Sequence, residues 1–137
     1  MADGMKGHGM NEDNLKHGAF GWNELMTTDV RAAGQFYSSL FGWEIEESRM
    51  PGMEYHMVKV DGDAVGGITT LPPGSKDMPP CWGVYVTVDD VDAVAAKAES
   101  LGGKVVHPPT DIPNIGRFCV IQDPQGASLA AIAYAPQ

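Results

Sequence analysis

Glu24 is the residue of this sequence with the clearest capacity for chemistry. It lies in FGWNELMTT, residues 20–28, where period-two alternation places Trp22, Glu24 and Met26 on one face of a strand and Leu25 and Thr27 on the other. A carboxylate held between two large side chains is poorly hydrated, which favours its protonated form and suits a general acid or base near neutral pH. The plainer alternative is a rim glutamate, or one tied to a backbone amide or an arginine. Tyr85, in CWGVYVTV, offers a phenol that could orient a ligand's polar group beside such a carboxylate, or equally complete a core hydrogen bond. His56, in EYHMVKV, is the third candidate for catalysis; it shares a face with Val58 and Val60 and reads also as a packed, hydrogen-bonded histidine.

Around these three stand residues suited to holding a ligand. Trp22 and Trp82 could wall a cavity for a flat molecule, with Met26 beside them, although large aromatics in strands are often simple core. Arg117 is the only basic residue of the last predicted hairpin and could hold an anion, or be neutralised by a neighbouring carboxylate. His107 precedes Pro108-Pro109 in a predicted loop and carries less weight, as do His8 and His17 in the N-terminal stretch. Gly66-Gly67 falls inside a hairpin and Gly102-Gly103 ends a helix, so neither forms a phosphate-cradling loop. No serine stands on a strand-to-helix elbow, and hydrolase chemistry has no visible carrier.

The elements that must position these residues are written twice. WNELMTTDVRAAGQFYSSLFGWEI, Trp22 to Ile45, returns as GVYVTVDDVDAVAAKAESLGGKVV, Gly83 to Val106, at an offset of 61 residues, so that Glu24 falls on Tyr85, Asp29 on Asp90 and Gly42 on Gly103. Asp29 predicts an N-cap, and within DVRAAGQFYSSLFG the residues Val30, Ala33, Phe36, Tyr37 and Leu40 share the apolar face, with Gly42 as the stop. The strand WEIEESR follows, then a turn at Met50-Pro51-Gly52, and MEYHMVKV with DAVGGITTL forms a hairpin across Asp61-Gly62-Asp63. In the second copy Asp89 or Asp90 caps VDAVAAKAESLGG, KVVHPPTDI gives a short strand running into a proline-rich loop, and GRFCVIQ with ASLAAIAYA closes a hairpin around Asp123-Pro124-Gln125-Gly126. Each half reads βαβββ. The boundaries are a mobile tail over 1–17, a first module over 20–71, a linker over 72–80 and a second module over 81–136, together one domain from residue 18 to 137.

The bulk numbers bound the partners. A chain of 137 residues buries roughly two-thirds of its unfolded surface. With 18 acidic and 9 basic residues the formal charge is −9, which argues against nucleic acid and anionic membrane. No apolar run of about 18 residues and no apolar signal segment is present, so the reading is a soluble cytoplasmic protein. Cys81 and Cys119 are far apart and read as free thiols.

The strand-Asp-Val-helix with FYSSLFGWE, the second copy ending AKAESLGGKV and the closing DPQGASLAAI resemble the glyoxalase/bleomycin resistance/dioxygenase superfamily, also called the vicinal oxygen chelate superfamily, over about Phe20 to Pro136. The resemblance implies an α+β fold in which two tandem βαβββ modules form a curved mixed sheet, a half-barrel, around a cavity, with homodimers common. It also implies, in metal-dependent members, a divalent metal held by a His or Glu from the first strand of each module and a Glu or similar residue from the last. Carried onto this chain, those positions are Trp22 and Gly83, and approximately Gly66 and Ala130. None offers a suitable donor; a shift of one gives Asn23, Val84, Gly67 and Ala131, and one further gives only Glu24 and Tyr85. The expectation is therefore a member with no metal and no cofactor, binding a small aromatic or hydrophobic molecule between its modules. An enzyme using Glu24 with Tyr85 or His56, acting as a lyase, isomerase or hydroxylase-like catalyst, is the alternative, and a structural or regulatory dimer is a third reading.

Overall fold

A computed structural model of the protein describes residues 15–50, 53–71, 78–112 and 115–135. His8, the Pro51-Gly52 turn and linker residues 72–77 lie outside the described residues. The described chain runs β1 (Phe20–Thr27), α1 (Val30–Phe41), β2 (Glu44–Met50), β3 (Met53–Val60), β4 (Asp63–Thr70), then β5 (Cys81–Thr87), α2 (Val91–Ser100), β6 (Lys104–Ile112), β7 (Gly116–Gln122) and β8 (Ser128–Tyr134). The order is βαβββ twice, as the repeat predicts. In each module the first strand pairs parallel with the last, β1 with β4 and β5 with β8, while the other pairs are antiparallel. Strand order is β2-β3-β4-β1 in the first module and β5-β8-β7-β6 in the second.

Local chemistry explains the helices. The Asp29 carboxylate accepts from the Ala32 amide at 3.0 Å, and Asp90 does the same for Ala93 at 3.0 Å, so Asp90 rather than Asp89 is the second cap. Each satisfies a first-turn amide that has no helical partner. Gly42 ends α1 at φ 76°, a left-handed conformation that costs a side-chain-bearing residue energy, and its amide returns to the Ser38 carbonyl.

The buried face of α1 keeps Val30, Ala33 and Tyr37 of the expected set and loses Phe36 and Leu40. Val30 and Gly34 are buried with Ala33 and Tyr37 half-buried, whereas Phe36, Leu40 and Phe41 are exposed. A Cβ at Gly34 would lie 3.4 Å from Ile45, so the helix comes close to β2 along its glycine, beside Tyr37. The first core comprises Leu25, Val30, Val58 and Ile68, edged by Ala33, Tyr37, Trp43, Ile45 and Val65. The second comprises Val88, Val91, Ala95, Cys119 and Ala131.

Two further expectations change. KVVHPPTDI is a strand along its whole length, not a strand fading into a loop; it is an edge strand, and register shifts between Val105 and His107 and between His107 and Thr110 absorb two prolines that cannot donate to a ladder. The N-terminal stretch is built in by residue 17. Gly18 donates to the Thr87 carbonyl at 2.7 Å, Thr87 donates to Ala19 at 2.8 Å, and the Asp89 amide donates to His17 Nδ1 at 3.0 Å.

The chain divides into two compact units, Trp22–Gly83 and Met1–Gly21 with Val84–Gln137. The start of β5, including Trp82, thus lies in the same unit as α1 and β2 to β4.

Candidate functional site

The alternation of β1 fixes what each residue can reach. Leu25 joins Val30 and Ile68 in the core beneath α1, so Trp22, Glu24 and Met26 project from the opposite face. Trp22 is 9% exposed, and Glu24 and Met26 are half-buried. On that face the Trp22 Nε1–H donates to the Tyr55 hydroxyl at 2.9 Å, joining β1 to β3 across the intervening β4. The crossing is possible because β4 carries Gly67 there: a Cβ at Gly67 would collide with the Tyr55 ring and hydroxyl. Gly67 is also the register partner of Glu24. The sequence thereby sets a carboxylate, an indole and a phenol around one glycine.

Tyr85 has the same relation in the second module, where it is paired with Ala130. The register therefore matches Glu24 with Gly67 and Tyr85 with Ala130, two residues further along the first strands than Trp22 and Gly83.

Other candidates are placed elsewhere. His56 is buried on the α1 side, paired in register with Ile68, and its Nε2 lies 3.6 Å from carboxylate oxygens of both Glu47 and Glu54. Its alternation with Tyr55 puts it on the face away from Glu24. Trp82 does not share a wall with Trp22. Its Nε1–H donates to the Tyr37 hydroxyl at 3.2 Å, and its ring meets Trp43 edge-on at 6.0 Å, on the α1 side. Arg117 is held by Asp92, through Nε at 2.9 Å and Nη2 at 3.0 Å, and by Asp111 through Nη1 at 3.0 Å. The hydrogen bond from Arg117 holds the Asp92 carboxyl below its ordinary range, and the same bonds raise the guanidinium further. His107 stacks on Phe118 at 5.0 Å.

The model of the glyoxalase/bleomycin resistance protein/dioxygenase superfamily matches residues 18–130 of the sequence. The chain belongs to this superfamily. It is 44% identical over 117 residues to the putative glyoxylase CFP32 of Mycobacterium tuberculosis, covering 83% of this chain and 45% of that protein. It is 35% identical over 126 residues to the anthracycline biosynthesis protein DnrV of Streptomyces peucetius, covering 82% and 46% respectively. The chain thus spans about half the length of these superfamily relatives. Among solved structures, a methylmalonyl-CoA epimerase from Streptomyces coelicolor superposes with a TM-score of 0.67 at 18% identity, over 88% of this chain and 99% of that one. The α+β superfamily fold expected from the repeat is the fold observed.

The superfamily's metal requires His or carboxylate donors from first and last strands. Here Glu24 lies opposite a glycine in the first module, and in the second Tyr85 lies opposite an alanine. Among the described residues no three His, Cys, Asp or Glu side chains group as metal ligands. Tyr55 is the residue that sequence reasoning passed over. Its signal was present: adjacent to His56 in a strand, it had to take the face that His56 does not.

Proposed function

We propose that this superfamily member binds a small, flat aromatic molecule against Trp22, Tyr55, Glu24 and Met26. The observation that carries the reading is the Trp22–Tyr55 hydrogen bond of 2.9 Å over Gly67, the residue opposite Glu24. Two aromatic side chains joined through their polar edges are held in place and lose little freedom when a ligand arrives. Glu24 is the ionisable residue that β1 presents on that face, so a ligand's donor or cationic group is directed to it. In this reading no step is assigned to a metal. The relatedness to an anthracycline biosynthesis protein supports a planar polycyclic ligand.

The test is a tryptophan-fluorescence titration with an anthracycline. Saturable quenching is expected, with Trp22→Phe and Glu24→Gln each weakening binding by roughly tenfold, about 1.4 kcal/mol. Absence of saturation, or stoichiometric zinc, iron or nickel in the purified protein, overturns the reading. A second reading is favoured by the relatives named as putative glyoxylases and by the carboxylate itself: a metal-free isomerase or lyase in which Glu24 moves a proton. There Glu24→Gln abolishes turnover of a substrate that it still binds.

A further inference from the structure

Opposite the Glu24 face, on the α1 side of the first module, lies a cleft of about 300 Å³ lined by Asn23, Trp43, Val58, Val65, Gly66 and Trp82. All six belong to the unit Trp22–Gly83. We propose that this cleft is a second binding site, separate from the one on the Glu24 face, for an uncharged one- or two-ring aromatic compound carrying an N–H or O–H donor.

The walls are two indoles whose arrangement is fixed from behind. Trp43 and Trp82 meet at 6.0 Å and 78°, Tyr37 stacks on Trp43 at 5.6 Å, and the Tyr37 hydroxyl accepts from Trp82 Nε1. Trp82 is still 42% exposed, so an indole held in place keeps a large apolar surface in water. Covering it is favourable at roughly 25 cal/mol per Å² of apolar surface. The floor is kept flat by Gly66, where any Cβ would collide with the Asn23 carbonyl.

Polarity selects the occupant. Among the described residues no charged one lines the cleft, although the chain carries 18 acidic residues, so an ion would enter without a partner among them while a neutral ring loses little solvation. The one polar side chain is Asn23, whose Nδ2 donates to the Val65 carbonyl at 3.3 Å. That bond fixes the amide's orientation, since a carbonyl can only accept, and leaves Oδ1 as the acceptor for a ligand donor. The volume is at the low end of small-molecule sites, roughly 300–1,000 Å³, which limits the ligand to one or two rings.

The chain has three tryptophans, one on the Glu24 face and two in the cleft, and each indole N–H gives one signal in a ¹⁵N–¹H spectrum. Indole is the probe, with 1-methylindole as the analogue lacking the donor. Saturable shifts are expected at Trp43, Trp82 and the Asn23 side-chain amide with the Trp22 signal unmoved, roughly fivefold weaker binding of 1-methylindole, and loss of saturation in Trp82→Ala. Asn23→Leu, which keeps both aromatic walls, is expected to bind the two probes equally. Shifts confined to Trp22, no saturable shift at Trp43 and Trp82, or unchanged indole binding by Trp82→Ala overturns the proposal. Because Trp22 reports the other face, the outcome is independent of the anthracycline titration.

Discussion

Single residues set what each face of the first module can do. Gly67 is the least replaceable of them for the arrangement around Glu24, because the Tyr55 ring occupies the space a side chain would need. Gly67→Ala is expected to displace Tyr55, break its bond to Trp22 and cost about 1–3 kcal/mol, measured by chemical denaturation together with the Trp22 indole N–H signal. The two cysteines differ in the same residue-level way. Cys119 is fully buried and burial pushes its thiol pKa up, whereas Cys81 is half-buried. A thiol-reactive disulfide reagent at pH 8 is therefore expected to modify Cys81 well before Cys119 in the native protein, and both at once in denaturant. Equal native rates would show that Cys119 is reached through easy local opening.

At the scale of elements, the helices are placed by their caps and by one glycine. Asp29 and Asp90 each accept from an amide three residues on, and Asp29→Ala and Asp90→Ala are each expected to lose about 1 kcal/mol in urea unfolding, with Asn at either position restoring most of it. The sequence reading put Val30, Ala33, Phe36, Tyr37 and Leu40 of α1 on one apolar face, and Val30, Ala33 and Tyr37 are the ones that pack inward. Packing selected the face with Gly34, since a backbone without a side chain approaches Ile45 more closely than an aromatic face could. Phe36 and Leu40 are left exposed, while Trp43 and Trp82 form the walls of the cleft on that side.

Over the whole molecule, 18 carboxylates against 9 cations make the response to acid informative. Asp92 is the carboxylate held below its ordinary range, by the hydrogen bond from Arg117. A group whose folded pKa is depressed contributes stability that is present above its unfolded pKa, about 3.9, and lost as pH falls through the folded value. Thermal melts of the protein and of Arg117→Gln are therefore expected to differ most near neutral pH and to converge as the pH is taken below about 4. A gap that widens in acid would contradict the pairing. Among the described residues no helix is long and apolar enough to cross a membrane.

The sequence by itself determined the repeat, the βαβββ order and the cap at Asp29, because these rest on local signals: alternation, cap chemistry and turn residues act within a few positions of themselves; the superfamily was legible through the resemblance of its motifs, and the choice of Asp90 over Asp89 came from the structure. It also determined that Trp22, Glu24 and Met26 share a face, which follows from the pleat alone. Tertiary structure decided which residues meet them. The pairing of β4 with β1 put Gly67 opposite Glu24, the passage of β3 beyond it brought Tyr55 onto Trp22, the register of β3 with β4 put His56 beside Ile68 on the other side, and Tyr37 of α1 holds Trp82 there. Contacts between strands depend on register and on which face a helix covers, and neither is encoded in the spacing of one segment. The first and last strands show the same division: repeat spacing located them approximately, while only the observed register identified Glu24 with Gly67 and Tyr85 with Ala130 as the paired positions within each module.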